Sequence, residues 1–364
     1  MIEAHWGESS ELSLGVEEEV MILDAATFEP VPAVATLLAA VDGHELPGRL
    51  KTELHASVVE LNSDVCATPD EALAAVRALR TAAGEAAQRA GVRVAAAGGH
   101  PTAAPESLEI VREERYLEMV AYAGRSAKRQ GVNGLHVHVG MPDGETCMAT
   151  LEFALPWLPV VLALSGNSPF YAGEDTGFAS NRAQLLAELP RSSAPPPFGS
   201  YAEWEVYVER LGALRLPPDY TALWWDVRPH PRYGTLEVRT PDQPTAVELT
   251  GAFVALVQAL CATAADAPRV RPDAASRGIY QQNRWAAARF GPRAELVAPD
   301  RERVAPASEL ARELLERVMP AAERLGSAAL LAAFDPDACE ADRQRAVGVR
   351  DAAADVAERT LGFA

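Results

Sequence analysis

Leu14-Gly15-Val16-Glu17-Glu18-Glu19-Val20-Met21-Ile22-Leu23 is an apolar run carrying three glutamates, and its pattern predicts a strand over about 12–24. Alternation along a strand puts Glu17 and Glu19 on one face and Val16, Glu18 and Val20 on the other. Residues 49–62 read as a second extended segment. Thr68-Pro69-Asp70-Glu71 marks a helix start, and an Ala-rich amphipathic pattern continues it to about Ala90. Further on, the pattern predicts a strand over 92–97, a helix over 105–129, a strand over 132–141 and a long apolar helix over 145–165. Residues 166–200 are rich in Gly, Ser and Pro, a composition typical of long ordered loops that cover active sites. A helix at 201–214 precedes a hairpin of 223–228 and 235–240 with its turn at 229–234. The remainder reads as helical, over 245–266, 273–289 and 308–361. Strands scattered among helices, with hairpin connections, predict an α+β fold: a curved, mostly antiparallel sheet backed by helices. No linker divides the pattern, so a single domain over 1–364 is expected, with a core at about 12–300 and a C-terminal helical segment at 308–361.

Composition narrows the possibilities. The formal charge is −18, which disfavours nucleic acid or an anionic membrane as partner. The apolar stretch from Leu151 to Leu164 is interrupted by Glu152, Pro156 and Pro159, so no membrane span is expected there. The N-terminus lacks a basic region followed by an apolar core, the mark of a secretory signal. Cys66, Cys147, Cys261 and Cys339 form no CxxC pair, which argues against a zinc site or disulfide framework and points to the cytoplasm. Lys51 and Lys128 are the only lysines, so any phosphate must be held by guanidinium groups helped by metal. Neither a GxxxxGK[ST] loop nor a GxGxxG following a strand is present.

Glu17 and Glu19, about 7 Å apart on one strand face, repel each other unless a cation sits between them, and a divalent cation bound by oxygen is the usual remedy. Other segments repeat the theme. His136 and His138 share a face of their strand, as do Glu237 and Arg239, and Asp226 and Arg228. Glu53 and Glu60 lie seven residues apart, on opposite faces of a regular strand, so a bend at His55–Ser57 is needed to aim both at one site. Each pattern alone has a plainer reading: a polar sheet face for His-x-His, a solvated face for Glu-x-Glu, a cross-strand ion pair for Glu-x-Arg. Their joint occurrence on four otherwise apolar segments favours Mg²⁺ or Mn²⁺, Mn²⁺ accepting imidazole more readily.

The segments Gly15-Val16-Glu17-Glu18-Glu19, Gly134-Leu135-His136-Val137-His138-Val139-Gly140, Thr235-Leu236-Glu237-Val238-Arg239-Thr240-Pro241-Asp242 and Asn283-Arg284-Trp285-Ala286-Ala287-Ala288-Arg289-Phe290-Gly291 follow in this order. Together they resemble the bacterial carboxylate–amine ligase family, also labelled glutamate–cysteine ligase type 2, whose catalytic sheet is similar to that of glutamine synthetase. The resemblance spans about 12–361. It implies Glu17, Glu19, Glu53, Glu60, His136 and Glu237 as metal ligands, and it supports the bend between Glu53 and Glu60. It implies His138 and Arg239 near the ATP phosphates, with Arg182 and Arg228 as candidates to grip a carboxylate or the transferred phosphoryl group. Asn283, Arg284 and Arg289 are equally compatible with a packing role. The implied chemistry is ATP- and Mg²⁺/Mn²⁺-dependent amide formation through an acyl phosphate, giving γ-glutamylcysteine if the substrates are L-glutamate and L-cysteine. Alternatives are the same chemistry with another acid or amine, a guanidino or carboxylate kinase of related fold, and a binding protein without turnover. Glu17→Gln and Glu237→Gln are each expected to abolish turnover and leave the fold intact. Trp224 and Trp225 are compatible with a homodimer.

Overall fold

The structure, a computed structural model, describes residues 2–214 and 220–362. Strand β1 (Leu14–Asp24) is central. It is followed by helix α1 (Val34–Val41), β2 (Gly48–Thr52), β3 (Val58–Ser63), α2 (Pro69–Arg89), β4 (Val92–Ala95), α3 (Glu114–Ala123), α4 (Arg125–Lys128) and β5 (Leu135–Gly140). Next come α5 (Gly144–Ala154), α6 (Leu158–Ser165), β6 (Phe170–Tyr171), β7 (Glu174–Asp175), α7 (Asn181–Leu186), α8 (Tyr201–Ala213), β8 (Val227–His230), β9 (Thr235–Val238) and α9 (Val247–Ala265). The chain ends in α10 (Ala274–Phe290), β10 (Glu295–Val297), β11 (Val304–Pro306), α11 (Ala307–Arg324), α12 (Glu340–Val347) and α13 (Ala352–Thr360). Among the described residues, seven strands form one sheet in the order β2-β3-β1-β5-β9-β8, with β4 also paired to β1. Every pairing in it is antiparallel, as the α+β reading expects.

One face of this sheet is apolar and covered. Val16, Leu135, Val137, Val139, Leu236 and Val238 pack with residues of α5, α6 and α9. Val20, Ile22, Val59 and Leu61 pack with Leu37 of α1 and Leu79 and Ala83 of α2. The period-two alternation therefore sends Glu17, Glu19, His136, His138, Glu237 and Arg239 to the opposite face.

Glu18 is the exception on the covered face. It is fully buried and receives both arms of Arg80 from α2, Nε and Nη2 each at 2.7 Å. Thr250 Oγ1 and Gln243 Nε2 also donate to it, at 2.5 and 2.9 Å. Arg80 continues to the carbonyls of Pro244, Thr245 and Thr360. A buried charge must be paired and hydrogen-bonded to persist, and this one joins β1, α2, α9 and α13.

Several boundaries differ from the sequence expectation. Residues 49–62 form a hairpin, β2 and β3 in register with Lys51 opposite Glu60, rather than one bent strand. Residues 105–129 do not form one helix: a short 3₁₀ turn at Pro105–Ser107 is separated from α3, and Gly124 (φ +57°) divides α3 from α4. Gly326 and Gly348, both at positive φ, stand within the expected helix 308–361, which divides into α11, a 3₁₀ turn at Ala328–Ala333, α12 and α13. The hairpin β10–β11 was not expected from the pattern. Gly144–Ser165 and Val247–Ala265 are each long and apolar enough to cross a membrane by length and composition. They are core helices here, 89% and 72% buried over their most apolar windows.

Removing one partner of a buried pair strands the other charge. Arg80→Ala is therefore expected to lower the unfolding free energy by about 3–5 kcal/mol, measured by urea denaturation. A loss below about 1 kcal/mol, the scale of an exposed pair, would contradict this view of the core.

Candidate active site on the open face of the sheet

The strand register brings the acidic and imidazole groups together. Glu17 lies opposite Asn62 of β3 on one side and His136 of β5 on the other; Glu19 lies opposite Glu60; His138 lies opposite Glu237, and Glu237 opposite Arg228. Asn62 Nδ2 donates to Glu17 Oε1 at 3.0 Å, and His136 Nδ1 lies 3.1 Å from Glu17 Oε2. His138 Nδ1 meets Thr235 Oγ1 at 3.0 Å. Its Nε2 is buried without a hydrogen-bond partner and points toward Glu17, at 3.6 Å. One potential ligand atom from each of Glu17, His138 and Glu237 lies within 4.8 Å of the others.

A second group surrounds Glu19. The backbone N–H of Gly134 donates to its Oε2 at 2.6 Å. Glu53, at the end of the β2–β3 turn, receives the hydroxyl of Tyr116 at 3.1 Å. Lys51 Nζ stands 3.5 Å from Glu60. The hairpin thus carries Glu53 and Glu60 to the same neighbourhood, where the two interact electrostatically with each other and with Glu19. Burial and the adjacent Glu53 push Glu19 up to about 8. Burial, Glu17 and Glu53 push Glu60 up to about 7, and burial raises Glu53. Lys51 and Arg182 act the other way on Glu60 and Glu19 but do not offset the burial and crowding of these carboxylates.

Glu17 and Glu237 behave oppositely. Burial opposes ionisation of Glu17, but the hydrogen bond with His136 and the nearby His138 imidazole hold it well below the usual carboxylate range. Burial likewise opposes ionisation of Glu237, and the Arg228 and Arg239 guanidinium groups outweigh it. His136, buried and facing Arg239, is pushed down to about 4 and so is neutral. His138 is raised: burial acts downward, and Glu17 and Glu237 overcome it.

The expected site residues divide by what their polar atoms already hold. Arg228 Nε donates to Glu237 at 2.6 Å, and its Nη1 donates to the carbonyls of Thr221 and Leu223. Arg182 is not in an open loop but on buried α7, its Nη1 and Nη2 on the carbonyls of Thr240 and Arg239. A Cβ on Gly134 would come within 2.1 Å of this guanidinium, so glycine there makes room for it. Both arginines are buried and make these bonds inside the protein, with Arg182 Nε left without a hydrogen-bond partner. They position Glu237 and the Arg239–Thr240 backbone. Arg239 keeps a different standing: half-buried, it pairs with Glu237 through Nη1 and lies 3.4 Å from His136 Nδ1.

The histidines also differ from the expected division. His138, assigned to phosphate, converges with Glu17 and Glu237, whereas His136 sits between Glu17 and Arg239. Asp226 does not share a face with Arg228. It lies at a bend before β8, where Tyr280 Oη (2.7 Å) and Arg284 Nε (2.6 Å) bind it. Asn283 bonds the backbone of Val297 through both its amide ends, and Arg289 stacks over Phe178 and Phe290. These contacts tie α10 to its neighbours. Sequence reasoning missed Gln243 and Tyr116. Gln243 receives the Glu19 N–H at 3.2 Å while donating to Glu18, and Tyr116 holds Glu53.

A cleft of about 410 Å³ opens beside Glu17 and His138, lined also by Arg49, Lys51, Arg232 and Tyr233. Its size suits a small-molecule ligand.

The chain matches the profile of the Glutamate-cysteine ligase family 2 over residues 13–348. It belongs to this family. It is 38% identical over 356 residues to a protein of Rubrobacter xylanophilus named "Putative glutamate--cysteine ligase 2-3", covering 96% of each chain. It is 35% identical over 336 residues to a "Glutamate--cysteine ligase" of Haloferax volcanii, covering 92% of each. Among solved structures, the glutamate–cysteine ligase of Francisella tularensis in complex with AMP superposes with a TM-score of 0.71 at 13% identity, covering 98% of this chain and 89% of that one. A bifunctional glutathione synthetase from Pasteurella multocida gives 0.68 at 16%, covering 97% and 52%. These two likenesses concern the fold.

The donor set fits the divalent cation that such a family implies: hard carboxylate oxygens, the unpartnered His138 Nε2, and the crowded carboxylates of Glu19, Glu53 and Glu60. Groups whose folded pKa is raised give stability that is complete below their unfolded value near 4.5 and is lost as pH climbs through the folded value. Below about pH 6.5 the buried histidines His55, His136 and His230, depressed to about 4, 4 and 3, act the other way, so in the metal-free protein Glu19 at about 8 and Glu60 at about 7 predict a Tm that falls between pH 6.5 and pH 8.5. Added Mn²⁺ should flatten that slope, because bound cations compete with protons. Calorimetry in chelator and in Mn²⁺ checks both; a Tm that rises with pH in chelator would contradict the reading.

Proposed function

We propose that this protein is an ATP-dependent carboxylate–amine ligase of glutamate–cysteine ligase type, joining L-glutamate to L-cysteine as γ-glutamylcysteine. The observation that carries the reading is the convergence of Glu17, His138 and Glu237 on a sheet of this family. Glu17, His138 and Glu237 would hold one Mg²⁺ or Mn²⁺, and Glu19, Glu53 and Glu60 a further one, with His136 orienting Glu17. Bound there, the cations would neutralise phosphate charge. The cleft lined by Arg49, Lys51 and Arg232 supports entry of the nucleotide from that side.

In the overall reaction, a carboxylate oxygen attacks the γ-phosphorus of ATP and ADP leaves, giving an acyl phosphate. The amine then attacks the acyl carbon, phosphate leaves, and the nitrogen gives up a proton. The protein's part in such transfers is placement and charge stabilisation. Arg239, with part of its guanidinium toward the open face, is the side chain to meet the transferred phosphoryl group. Arg228 holds Glu237 against it, and Arg182 holds the backbone that carries it. His136, neutral beside Arg239, leaves that positive charge directed to the ligand. The chain would work as one catalytic unit in the cytoplasm.

Phosphate release measured with ATP, Mg²⁺ and a panel of acids and amines tests the reading. Release that requires both glutamate and cysteine is expected. Release with glutamate and a different amine would retain the ligase and overturn the cysteine assignment, and a stable phosphorylated product without any amine would indicate a kinase. Glu17→Gln should lower turnover by about 10²–10³-fold, the cost typical of losing one electrostatic group, with the fold retained by circular dichroism. Glu237→Gln is the poorer probe, because it also strands the buried Arg228 and the half-buried Arg239. Unchanged turnover in Glu17→Gln would end the metal-site argument.

A further inference from the structure

Helix α3 buries little of itself. Of its ten residues only Tyr116 is buried, while Leu117 and Tyr122 are 50% and 53% exposed. It hangs from two ends. Before it, residues 109–111 run beside the β2–β3 turn: Ala56 N–H donates to Glu109 O and Val111 N–H to Leu54 O, each at 2.9 Å. After it, Gly124 at φ +57° turns the chain into α4, where Ala127 is buried again. A pinned strand at one end and a glycine at the other are the ends of a hinged element.

Between those ends, the ties of α3 to the body converge on one place. Tyr116 Oη lies 2.9 Å from Thr52 O and 3.1 Å from Glu53 Oε2. Glu113 receives Thr52 Oγ1 at 2.5 Å, Arg115 Nη2 reaches the same hydroxyl at 3.2 Å, and the Arg115 guanidinium stacks over the Tyr116 ring at 4.4 Å. The other tie is Arg191, which reaches Tyr122 Oη at 3.3 Å and lies over the rings of Tyr122 and Trp224. Thr52 and Glu53 sit where the β2–β3 hairpin turns toward Glu19 and Glu60. The helix is therefore latched to the protein through a carboxylate of the acidic group.

We propose that α3 is a cover over the Glu19–Glu53–Glu60 end of the site, hinged at Gly124, and that Tyr116 is the positioning residue that couples its closure to cation loading at Glu53. This rests on the ligase reading above. A carboxylate fixed by a cation offers the phenol a stationary acceptor, so loading favours the latched helix. Partners that orient metal-binding carboxylates commonly set affinity in this way. Closure would also keep water from a reactive acyl phosphate, which hydrolysis otherwise consumes.

Hydrogen exchange of the full chain, with and without Mn²⁺, reads the cover, and Mn²⁺ affinity by electron paramagnetic resonance reads the latch. In the wild type, amides of residues 114–123 should exchange more slowly once Mn²⁺ is bound. Tyr116→Phe removes only the hydroxyl. It should weaken Mn²⁺ binding about tenfold and abolish the Mn²⁺-dependent protection. A merely structural tyrosine would lower Tm and leave both readouts as in the wild type, which would overturn the proposal. Mn²⁺ that binds the wild type without changing exchange over 114–123 would overturn it too, with the ligase reading untouched. Failure of the wild type to bind Mn²⁺ at all would defeat both.

Discussion

The Glu18–Arg80 pair holds the register of β1, and the rest of the site follows from that register. A slip of one residue along a strand exchanges its two faces. It would carry Glu18 to the open side and drive Glu17 or Glu19 into the apolar helices. Burying Glu18 against a bidentate arginine, with Gln243 and Thr250 completing its hydrogen bonds, makes that slip costly, because an unpaired carboxylate would remain in the core. The same glutamine receives the N–H of Glu19, so anchor and site share a side chain. Three successive glutamates thus serve two purposes, and which does which is decided by strand alternation alone.

On the open side, the same logic runs through arginine. Arg228 donates to Glu237 and Arg182 to the backbone of Arg239 and Thr240, and Arg239 is the more exposed of the three guanidinium groups. Charge is separated across the site. Glu17 and Glu237 are held ionised by imidazole and guanidinium neighbours, while Glu19, Glu53 and Glu60 crowd together and are pushed toward protonation. A sheet that concentrates carboxylates in this manner is costly to maintain without cations, and binding of cations would relieve it.

Much of this was legible in the sequence wherever periodicity spoke. The β1 glutamates, the His-x-His strand, β9 and α2 with its Thr68 cap stand at their expected places, whereas β8 begins at Val227 and runs into the expected turn. Turns were less legible. The β2–β3 hairpin hides inside a run of strand-like residues, and α3 ends at Gly124 because only the folded backbone reveals that its φ is positive. Commitments of long side chains were not legible at all. Nothing local tells that Arg182 is spent on carbonyls 57 and 58 residues away, or that Asp226 turns from the sheet to Arg284. His136 and His138 share a face in sequence, and only the neighbouring strands decide what each imidazole meets: Glu17 and Glu19 for His136, Thr235 and Glu17 for His138.

Anomalous diffraction from crystals grown with Mn²⁺ and a nonhydrolysable ATP analogue tests the central claim most directly. The account predicts an anomalous peak within about 2.0–2.6 Å of carboxylate oxygens of Glu17 and Glu237, with His138 Nε2 as nitrogen ligand. Nucleotide bound with no such peak on the open face, or manganese held elsewhere on the protein, would contradict it.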